Sequence, residues 1–310
     1  MKTTAHKATF LALSTAGISG VSLFINKFAV SSVSDPVLFS GLKNTLVALL
    51  LVGVLLAFNK HKEIKTLTKK QWSQLVSIGL VGGAIPFALF FTGLSMIPAT
   101  QGALIHKTLF IWVALLAALF LQEKLSLVQW LGVSALFGAN VVLADISGFA
   151  LNGGVILVFI ATLFWAFENV LAKKALENLS AITVASGRMV FGSLFLLSFL
   201  TVTGRISGLA NLTPESLMWT SVTVIFLLGY LLTWYKALSL APASYVAALL
   251  VPATLVTNVL SALFVTHTLT EAQVLSGFLT VLGVSFVVLF VRTKTQNLQP
   301  TQSALHIENK

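Results

Sequence analysis

The chain has 310 residues, of which 57% are hydrophobic and 9% are charged, with a mean hydropathy of +0.96. Soluble domains typically carry about 25% charged residues, so this composition excludes a soluble globular protein. The apolar runs are continuous, as in 46–58 and 286–291, and lack the alternation of a membrane β-barrel. Cysteine is absent, which excludes disulfides and thiolate metal sites. The chain is therefore expected to be an all-α polytopic membrane protein.

A spanning helix needs about 20 mostly apolar residues, and the chain contains ten such segments. The first follows Lys2 and Lys7 as a signal peptide would, but it is long enough to span and precedes no small-residue cleavage pattern, so we interpret it as retained. Residues 292–310 are polar and are expected to form a disordered cytoplasmic tail. The predicted spans 1 to 10 are 8–30, 36–58, 72–94, 97–121, 126–145, 153–175, 181–203, 216–237, 242–264 and 269–291.

The basic residues of the loops predict the orientation, since cytoplasmic loops of membrane proteins are rich in Lys and Arg. With the N-terminus in the cytoplasm, Arg205 is the one basic residue in an external loop. We therefore expect both termini on the cytoplasmic side of the cell (inner) membrane. The same distribution accounts for the net charge of +10 and argues against a nucleic-acid partner. The residues predicted to lie inside are Lys2, Lys7, Lys60, Lys62, Lys65, Lys69, Lys70, Lys124, Lys173, Lys174, Lys236, Arg292, Lys294 and Lys310.

The sequence repeats itself at a constant offset through spans 4 and 9. The Leu-Ser-x-x-Pro-Ala pattern of 94–99 recurs at 238–243, and Gln129 recurs as Gln273. Each half then holds five helices, and an odd number requires the second copy to be inverted in the membrane. We predict two halves, 1–148 and 149–291. Inverted repeats are typical of transporters that alternate access around a central site.

With these features the chain resembles the drug/metabolite transporter superfamily, in its ten-helix form with two EamA domains. The resemblance covers about residues 8–291 and implies two inverted five-helix halves that transport small metabolites, often outward. Two positions depart from the family pattern: Thr108 replaces a proline common in span 4, and His267 replaces a glutamate common after span 9. The matching residues are Lys27, Lys43, Phe164–Ala166, Arg188, the segments 93–99 and 237–243, and Glu123 with 125–126.

Charged residues inside the bilayer are costly, by about 2.5–3.5 kcal/mol on insertion scales, and so are candidates for function. Glu168 is the one carboxylate placed within a predicted span, about 8 Å from the end of span 6. Arg188 lies at a similar depth in span 7, which makes a Glu168–Arg188 pair reasonable. We predict ion coupling for both residues, and a purely structural ion pair is the alternative.

Lys107 lies about 15 Å deep in span 4, near the midplane, where its ammonium cannot easily reach the interface. Gln101, Lys107 and Thr108 share one helix face and are predicted to bind substrate. The alternative is a structural, hydrogen-bonded lysine. His106 points about 100° away and is expected to pack between helices.

Other polar residues are predicted to line a substrate cavity. Ser22 and Asn26 belong to a polar stripe on span 1, and Asn258 belongs to one on span 9, although such stripes also serve as interhelical hydrogen bonds. Lys43, about 10 Å below the outer surface, is predicted to attract anions or to act structurally. Trp165 lies away from the interfaces and is a candidate for stacking on substrate, although buried packing is the commoner role.

The sequence thus predicts a transporter rather than an enzyme. It contains no G-x4-G-K-[ST] nucleotide motif, so we expect a secondary transporter driven by an ion gradient or by the substrate gradient. We expect a monomer or homodimer in the lipid bilayer that exports amino acids or other small carboxylate-bearing compounds by alternating access, with proton coupling as a further hypothesis. No catalytic residue, cofactor or metal is expected. A multidrug or cationic-compound exporter and a scaffold without flux are alternatives. An intramembrane serine protease using Ser19 and His106 is disfavoured, because Gly and Ser are ordinary packing residues there.

Overall fold

A computed structural model describes residues 2–33, 35–94, 96–97, 99–124, 126–143 and 151–297. All regular secondary structure within these ranges is helical. Eight helical segments are long and apolar enough to cross a membrane, and the shorter apolar helices Leu104–Phe120 and Leu127–Leu143 bring the number of spans to ten. The predicted all-α, polytopic fold is therefore confirmed.

The spans follow the predicted order. Spans 1 to 5 are Lys2–Ser31, Pro36–Ala57, Lys69–Leu94, Ala99–Lys107 with Leu109–Phe120, and Leu127–Leu143. Spans 6 to 10 are Gly153–Ala175, Ala181–Val202, Pro214–Leu240, Ala243–Ala248 with Ala253–Ser261, and Glu271–Asn297. The segments Gly79–Ala84 and Ala262–Thr266 are π-helical, His61–Lys65 is a short helix, and Arg205–Asn211 is a 3₁₀ turn. Span 10 thus includes residues 292–297 of the predicted tail, and 298–310 lie outside the described residues.

Short polar side chains cap the helices where the loops turn back into the bilayer. Asp35 accepts from the N–H groups of Val37 and Leu38, and Pro36 occupies the first turn of span 2. Asn152 and Ser180 cap spans 6 and 7 in the same way. These caps satisfy helix-end N–H groups that would otherwise lack partners near the membrane.

Spans 5 and 10 show that the two halves are inverted. Gly132 approaches the backbone of Gly283, and Gly138, further along span 5, approaches Leu279, which lies earlier in span 10. The two spans therefore run antiparallel, and glycine is needed where their backbones meet. Spans 2 and 7 are antiparallel as well, because Gly41 near the start of span 2 packs on Leu200 near the end of span 7. Since spans 5 and 10, and likewise spans 2 and 7, are counterparts in the repeat and run in opposite directions, one half is upside down relative to the other.

Spans 4 and 9 are interrupted at equivalent places. Span 9 breaks over residues 249–252, where Pro252 cannot donate a helical hydrogen bond. Span 4 breaks at Thr108, although the sequence predicted a continuous helix over 97–121. The Thr108 hydroxyl donates to the Ile105 carbonyl at 2.6 Å and accepts from Trp112 Nε1 at 2.9 Å. A hydroxyl bonded to the preceding turn bends a helix, so threonine takes the place of proline here.

The bundle has two faces. We call the side on which span 1 begins and span 10 ends the N-terminal face, and the side on which span 1 ends the opposite face.

The largest apolar core joins spans from both halves and includes the fully buried Leu51, Leu136, Leu231 and Tyr235. The two halves therefore form one packed body.

Candidate functional site

A cavity of about 340 Å³ lies between the two halves. Among the described residues, its lining comes from spans 1 to 9. In spans 1 and 2 the lining residues, 19–26 and 43–44, belong to the half of each helix nearer the opposite face. Span 3 contributes residues 87–91, close to its end on the same face. In spans 6 and 7 the lining residues, 165–169 and 188–189, belong to the half of each helix nearer the N-terminal face. The cavity therefore extends across the middle of the bundle.

Most of the predicted site residues meet in this cavity. Their positions agree with the expectation of one site between the halves, while the roles in substrate binding and ion coupling remain predictions. Those that line the cavity are Ser22, Asn26, Lys43, Lys107, Trp165, Glu168 and Arg188.

Three predicted residues are not placed in the cavity lining. Thr108 directs its hydroxyl to the helix break described above. Asn258 lies one turn beyond Thr254, which does line the cavity. The side chain of Gln101 lies outside what the structure describes. A substrate role for Thr108 and Asn258 is a prediction without a cavity contact behind it, and the role of Gln101 stays a prediction.

A buried charge cluster lies at the end of the cavity that is nearer the N-terminal face. Glu168 is 3% exposed, and its Oε1 accepts a hydrogen bond of 2.6 Å from the Tyr235 hydroxyl. Arg188 places its Nε 3.8 Å from the same oxygen. The two residues predicted to pair from their depths are thus adjacent in the structure. Tyr235 is fully buried and holds the carboxylate from the side of span 8.

The π-helical segment of span 3 provides the backbone acceptor of this cluster. The Gly82 carbonyl accepts from Arg188 Nη2 at 3.1 Å and from Trp165 Nε1 at 3.0 Å. π-bulges inside α-helices occur frequently at functional sites. A Cβ at Gly82 would overlap the Glu168 side chain and crowd Arg188, so only glycine permits this approach. The cluster thereby joins four side chains, those of Trp165, Glu168, Arg188 and Tyr235, to one carbonyl.

The cavity carries an excess of positive charge. Lys43 and Lys107 line it beside the Glu168–Arg188 pair, and Glu168 is the one carboxylate among its described lining residues. Lys43 is buried, and its Nζ lies 4.8 Å from the centroid of the Phe39 ring. Because the ion pairs found among the described residues leave Lys43 and Lys107 without a carboxylate, both cations are free to attract an anion.

Aromatic rings form two walls of the cavity. His106 packs edge-on against Trp165, with ring centroids 4.8 Å apart, and against Phe90 at 5.2 Å. On the other side Tyr230 stacks on Trp234 at 5.9 Å. These walls suit a compound with an apolar body, and they show that His106, expected only to pack, also lines the site.

The sequence reasoning missed several lining residues. Asn44 and Asn169 are buried, and their side chains retain polar atoms without a hydrogen-bond partner. Each directly follows a charged residue that was singled out, Lys43 or Glu168, so a search for polar pairs in apolar segments would have found them. Tyr235, which bonds Glu168 and is not itself a lining residue, had no such signal, because a tyrosine near the end of a span is ordinarily attributed to the membrane interface.

Ten helical spans in two inverted halves, with a polar cavity between them, are the architecture of a transporter that alternates access. A family model described as the EamA-like transporter family matches residues 6–144 and 152–289, one match to each half. The chain belongs to the EamA-like transporter family. This confirms the resemblance drawn from the sequence.

Similar proteins carry the same general description. An uncharacterized transporter of Archaeoglobus fulgidus is 26% identical over 281 residues, which cover 90% of this chain and 95% of the relative. The uncharacterized transporter YvbV of Bacillus subtilis (strain 168) is 27% identical over 282 residues, or 89% of each chain. A solved crystal structure superposes with a TM-score of 0.73 at 16% identity, covering 91% of this chain and 98% of the other. That likeness supports the fold alone. The chain is a multi-pass membrane protein and belongs to a family of transporters.

Proposed function

We propose that this chain is a secondary transporter that exports small carboxylate-bearing metabolites, including amino acids, through the cavity between its halves. The observation that carries the proposal is the charge of Lys43 and Lys107 in the lining, which the described residues leave without a carboxylate partner. Charges interact more strongly in a low-dielectric site than in water, so an anionic group would stabilise these buried cations. The aromatic walls would contact the rest of the molecule.

The substrate proposal is tested by flux in proteoliposomes with the Lys107→Ala variant. Labelled amino acids, organic acids and cationic drugs are supplied with and without a pH gradient. We expect carboxylate flux in the wild type and a loss of apparent affinity of about tenfold or more in Lys107→Ala, as for other charged hydrogen bonds. Lys236→Ala, which removes an exposed lysine, serves as the control and should behave as wild type.

Other outcomes of the same assay separate the alternatives. Flux of cations only, unaffected by Lys107→Ala, would contradict the carboxylate proposal and favour a multidrug or cationic-compound exporter. That candidate has some support from the aromatic walls, since aromatic faces attract cations. No flux of any compound by folded protein would favour a scaffold.

We further propose that Glu168 carries the coupling proton. It is a buried carboxylate held between an arginine and a tyrosine hydroxyl at the end of the cavity nearer the N-terminal face. Glu168→Gln should abolish transport driven by a pH gradient and retain passive exchange, because the amide cannot gain and lose a proton. The exposed Glu215→Gln is the control. Unchanged pH coupling in Glu168→Gln would leave the Glu168–Arg188 pair as structural.

The remaining proposals concern placement. Both termini are proposed to face the cytoplasm, in the cell (inner) membrane, on the basis of the basic loops at the N-terminal face. The protein is proposed to act as a monomer or homodimer with a small-molecule substrate and lipid as partners.

A further inference from the structure

The loop after span 4 is bonded to the beginning of span 9 at the N-terminal face. The Glu123 carboxylate accepts from the Ala243 N–H at 2.7 Å and from the Ser244 N–H at 3.0 Å. It also accepts from the Ser244 hydroxyl. A side chain of the first half therefore holds the first turn of a helix that belongs to the second half.

Helix packing also holds spans 4 and 9 together at the N-terminal face. The segment Ala243–Ala248 contacts Leu109–Phe120, the part of span 4 that ends at the N-terminal face. Val113 and Ala117 of span 4 and Tyr245 and Val246 of span 9 are all buried in the apolar core. Spans 4 and 9 are thus shut against each other on this face by apolar packing and by the Glu123 bonds.

The inverted counterpart of this contact lacks a carboxylate. The repeat places residues 266–268, Thr-His-Thr, where the turn containing Glu123 stands in the first half. Both turns contain a residue in the left-handed region, Gln122 at φ 53° and His267 at φ 53°. His267 and Thr268 are exposed, whereas Glu123 is half-buried. The sequence difference at His267 thus has a structural consequence: the opposite face has the turn and lacks the acidic bond.

The helices at the opposite face are accordingly arranged differently. Ala99–Lys107 of span 4 contacts span 6, and Ala253–Ser261 of span 9 contacts span 1. The cavity lies between these two segments, with lining from Lys107 on one side and Ala253 and Thr254 on the other. Spans 4 and 9 therefore meet at the N-terminal face and diverge toward the opposite face.

Spans 2 and 7 provide an internal comparison, because they are tied at both faces. At the N-terminal face the Glu63 carboxylate accepts from the Ser180 N–H at 2.7 Å and from the Thr183 hydroxyl at 3.0 Å. At the opposite face Arg205 donates two hydrogen bonds of 2.7 Å to Asp35. Each contact joins the loop after one span to the cap of the other, as inverted symmetry requires. Within the part of the chain that the structure describes, spans 4 and 9 are bonded in this way at the N-terminal face alone.

We propose that Glu123 is a gating residue of the transport cycle. Its bonds to Ala243 and Ser244 keep the N-terminal face closed in the conformation observed here. Release of these bonds lets spans 4 and 9 separate at that face, pivoting at their breaks near Thr108 and Pro252, while they close at the opposite face. Glu123 thereby sets the balance between the two access states, and spans 2 and 7 remain joined throughout.

The test measures distances between the halves and needs no substrate, so its result does not depend on which compound is carried. Because the chain contains no cysteine, spin labels can be placed on introduced cysteine pairs without a background. Leu127→Cys with Lys236→Cys reports on the N-terminal face, and Met96→Cys with Leu269→Cys reports on the opposite face. All four positions are exposed. Double electron–electron resonance in lipid nanodiscs gives the distance distribution of each pair.

We expect Glu123→Gln to shift the equilibrium about tenfold or more toward a longer Leu127–Lys236 distance and a shorter Met96–Leu269 distance, in line with the loss of a charged hydrogen bond. Ser244→Ala should shift both pairs in the same direction by less, and it carries the test if Glu123→Gln does not fold. Glu271→Gln, an equal charge change at an exposed site, is the control. Distributions that match wild type in folded Glu123→Gln, or in Ser244→Ala, would overturn the proposal.

Discussion

At the scale of single residues, Gly82 shows how much of the site depends on the absence of a side chain. Its carbonyl holds Arg188 and Trp165, and its Cα lies against the Glu168 side chain. A glycine costs backbone entropy in a helix relative to alanine, so its presence here is explained by close approach. The position therefore couples span 3 to the charge cluster of spans 6 and 7.

We expect Gly82→Ala to destabilise the protein by about 1–3 kcal/mol, the usual cost of overpacking, and to impair transport. Gly17→Ala is a matched control, because a Cβ at Gly17 meets no atom within 4 Å. It should be neutral or stabilising by up to about 1 kcal/mol, the helix propensity difference between the two residues. Thermal unfolding in detergent compares the two variants. Equal stabilities would contradict the close packing of Gly82 on Glu168.

Asp35 is the residue that ties the start of span 2 to the loop after span 7. Burial by itself raises the pKa of this carboxyl, but hydrogen bonds from Arg205 and from the Val37 and Leu38 N–H groups, with the charge of Arg205, outweigh it and lower the pKa below its usual value. The folded state therefore prefers the ionised carboxylate. Its stabilising effect is present above the unfolded pKa of about 3.9 and is lost as the pH falls through the native value.

Asp35→Asn should lower the stability at neutral pH by about 1–3 kcal/mol, the range for hydrogen bonds to charged groups. The difference from wild type should shrink as the pH falls below about 4, because the wild-type carboxyl is then protonated as well. Unfolding curves recorded over a range of pH test this, with the exposed Glu271→Gln as control. A difference that persists undiminished in acid would contradict the ion pair as its source.

At the scale of elements, the breaks in spans 4 and 9 are the features that shape the site. Both fall near the membrane centre, and residues on either side of each break line the cavity, such as Lys107 and Phe110 in span 4. Proline explains the break in span 9 through its missing N–H. In span 4 the Thr108 N–H donates to the Ile105 carbonyl, three residues earlier, and the Thr108 hydroxyl bonds Ile105 and Trp112 at the same point.

Substitutions at Thr108 distinguish this structural role from contact with substrate. Thr108→Ser keeps the hydroxyl and should preserve stability and flux. Thr108→Val keeps the shape and leaves Trp112 Nε1 without its acceptor, which should cost about 1–3 kcal/mol. If Thr108→Val retains stability but loses substrate affinity, the residue binds substrate directly. Unfolding temperature and the substrate dependence of flux give the two readouts.

At the scale of the whole molecule, inversion determines which loops share a face. The loops after spans 2 and 7 occupy the same place in the repeat, and each caps the first turn of the other span. They lie on opposite faces, because the halves are antiparallel. The first loop is rich in lysine. The second contains Arg205, which forms an ion pair with Asp35.

This arrangement predicts the outcome of labelling in intact cells. Cysteines are introduced separately at Lys62 and Ser207, two exposed loop positions in a chain without native cysteine. With the termini in the cytoplasm, a membrane-impermeant maleimide should label Ser207→Cys and leave Lys62→Cys unlabelled until the cells are permeabilised. The reverse pattern would place the termini outside. Labelling of both or neither before permeabilisation would contradict a fixed inverted topology.

The sequence by itself determined the ten spans, their order and the duplication, because these depend on the hydropathy of segments and on repeated residues along the chain. It also predicted the depth of Glu168 and Arg188, since helical rise converts residue number into distance, and the structure places them 3.8 Å apart. Seven of the predicted site residues could be assigned to one cavity only after the helices were packed.

The tertiary structure alone decided which side chains meet across the halves. Tyr235 binds Glu168 from a distant segment, the Gly82 carbonyl is presented by a π-helical turn, and Glu123 reaches a helix 120 residues further along the chain. Hydropathy carries no information on such contacts, because they depend on helix rotation and on the register between spans. The break at Thr108 belongs here as well, since a hydroxyl bends a helix only when its local hydrogen bonds replace those of the backbone.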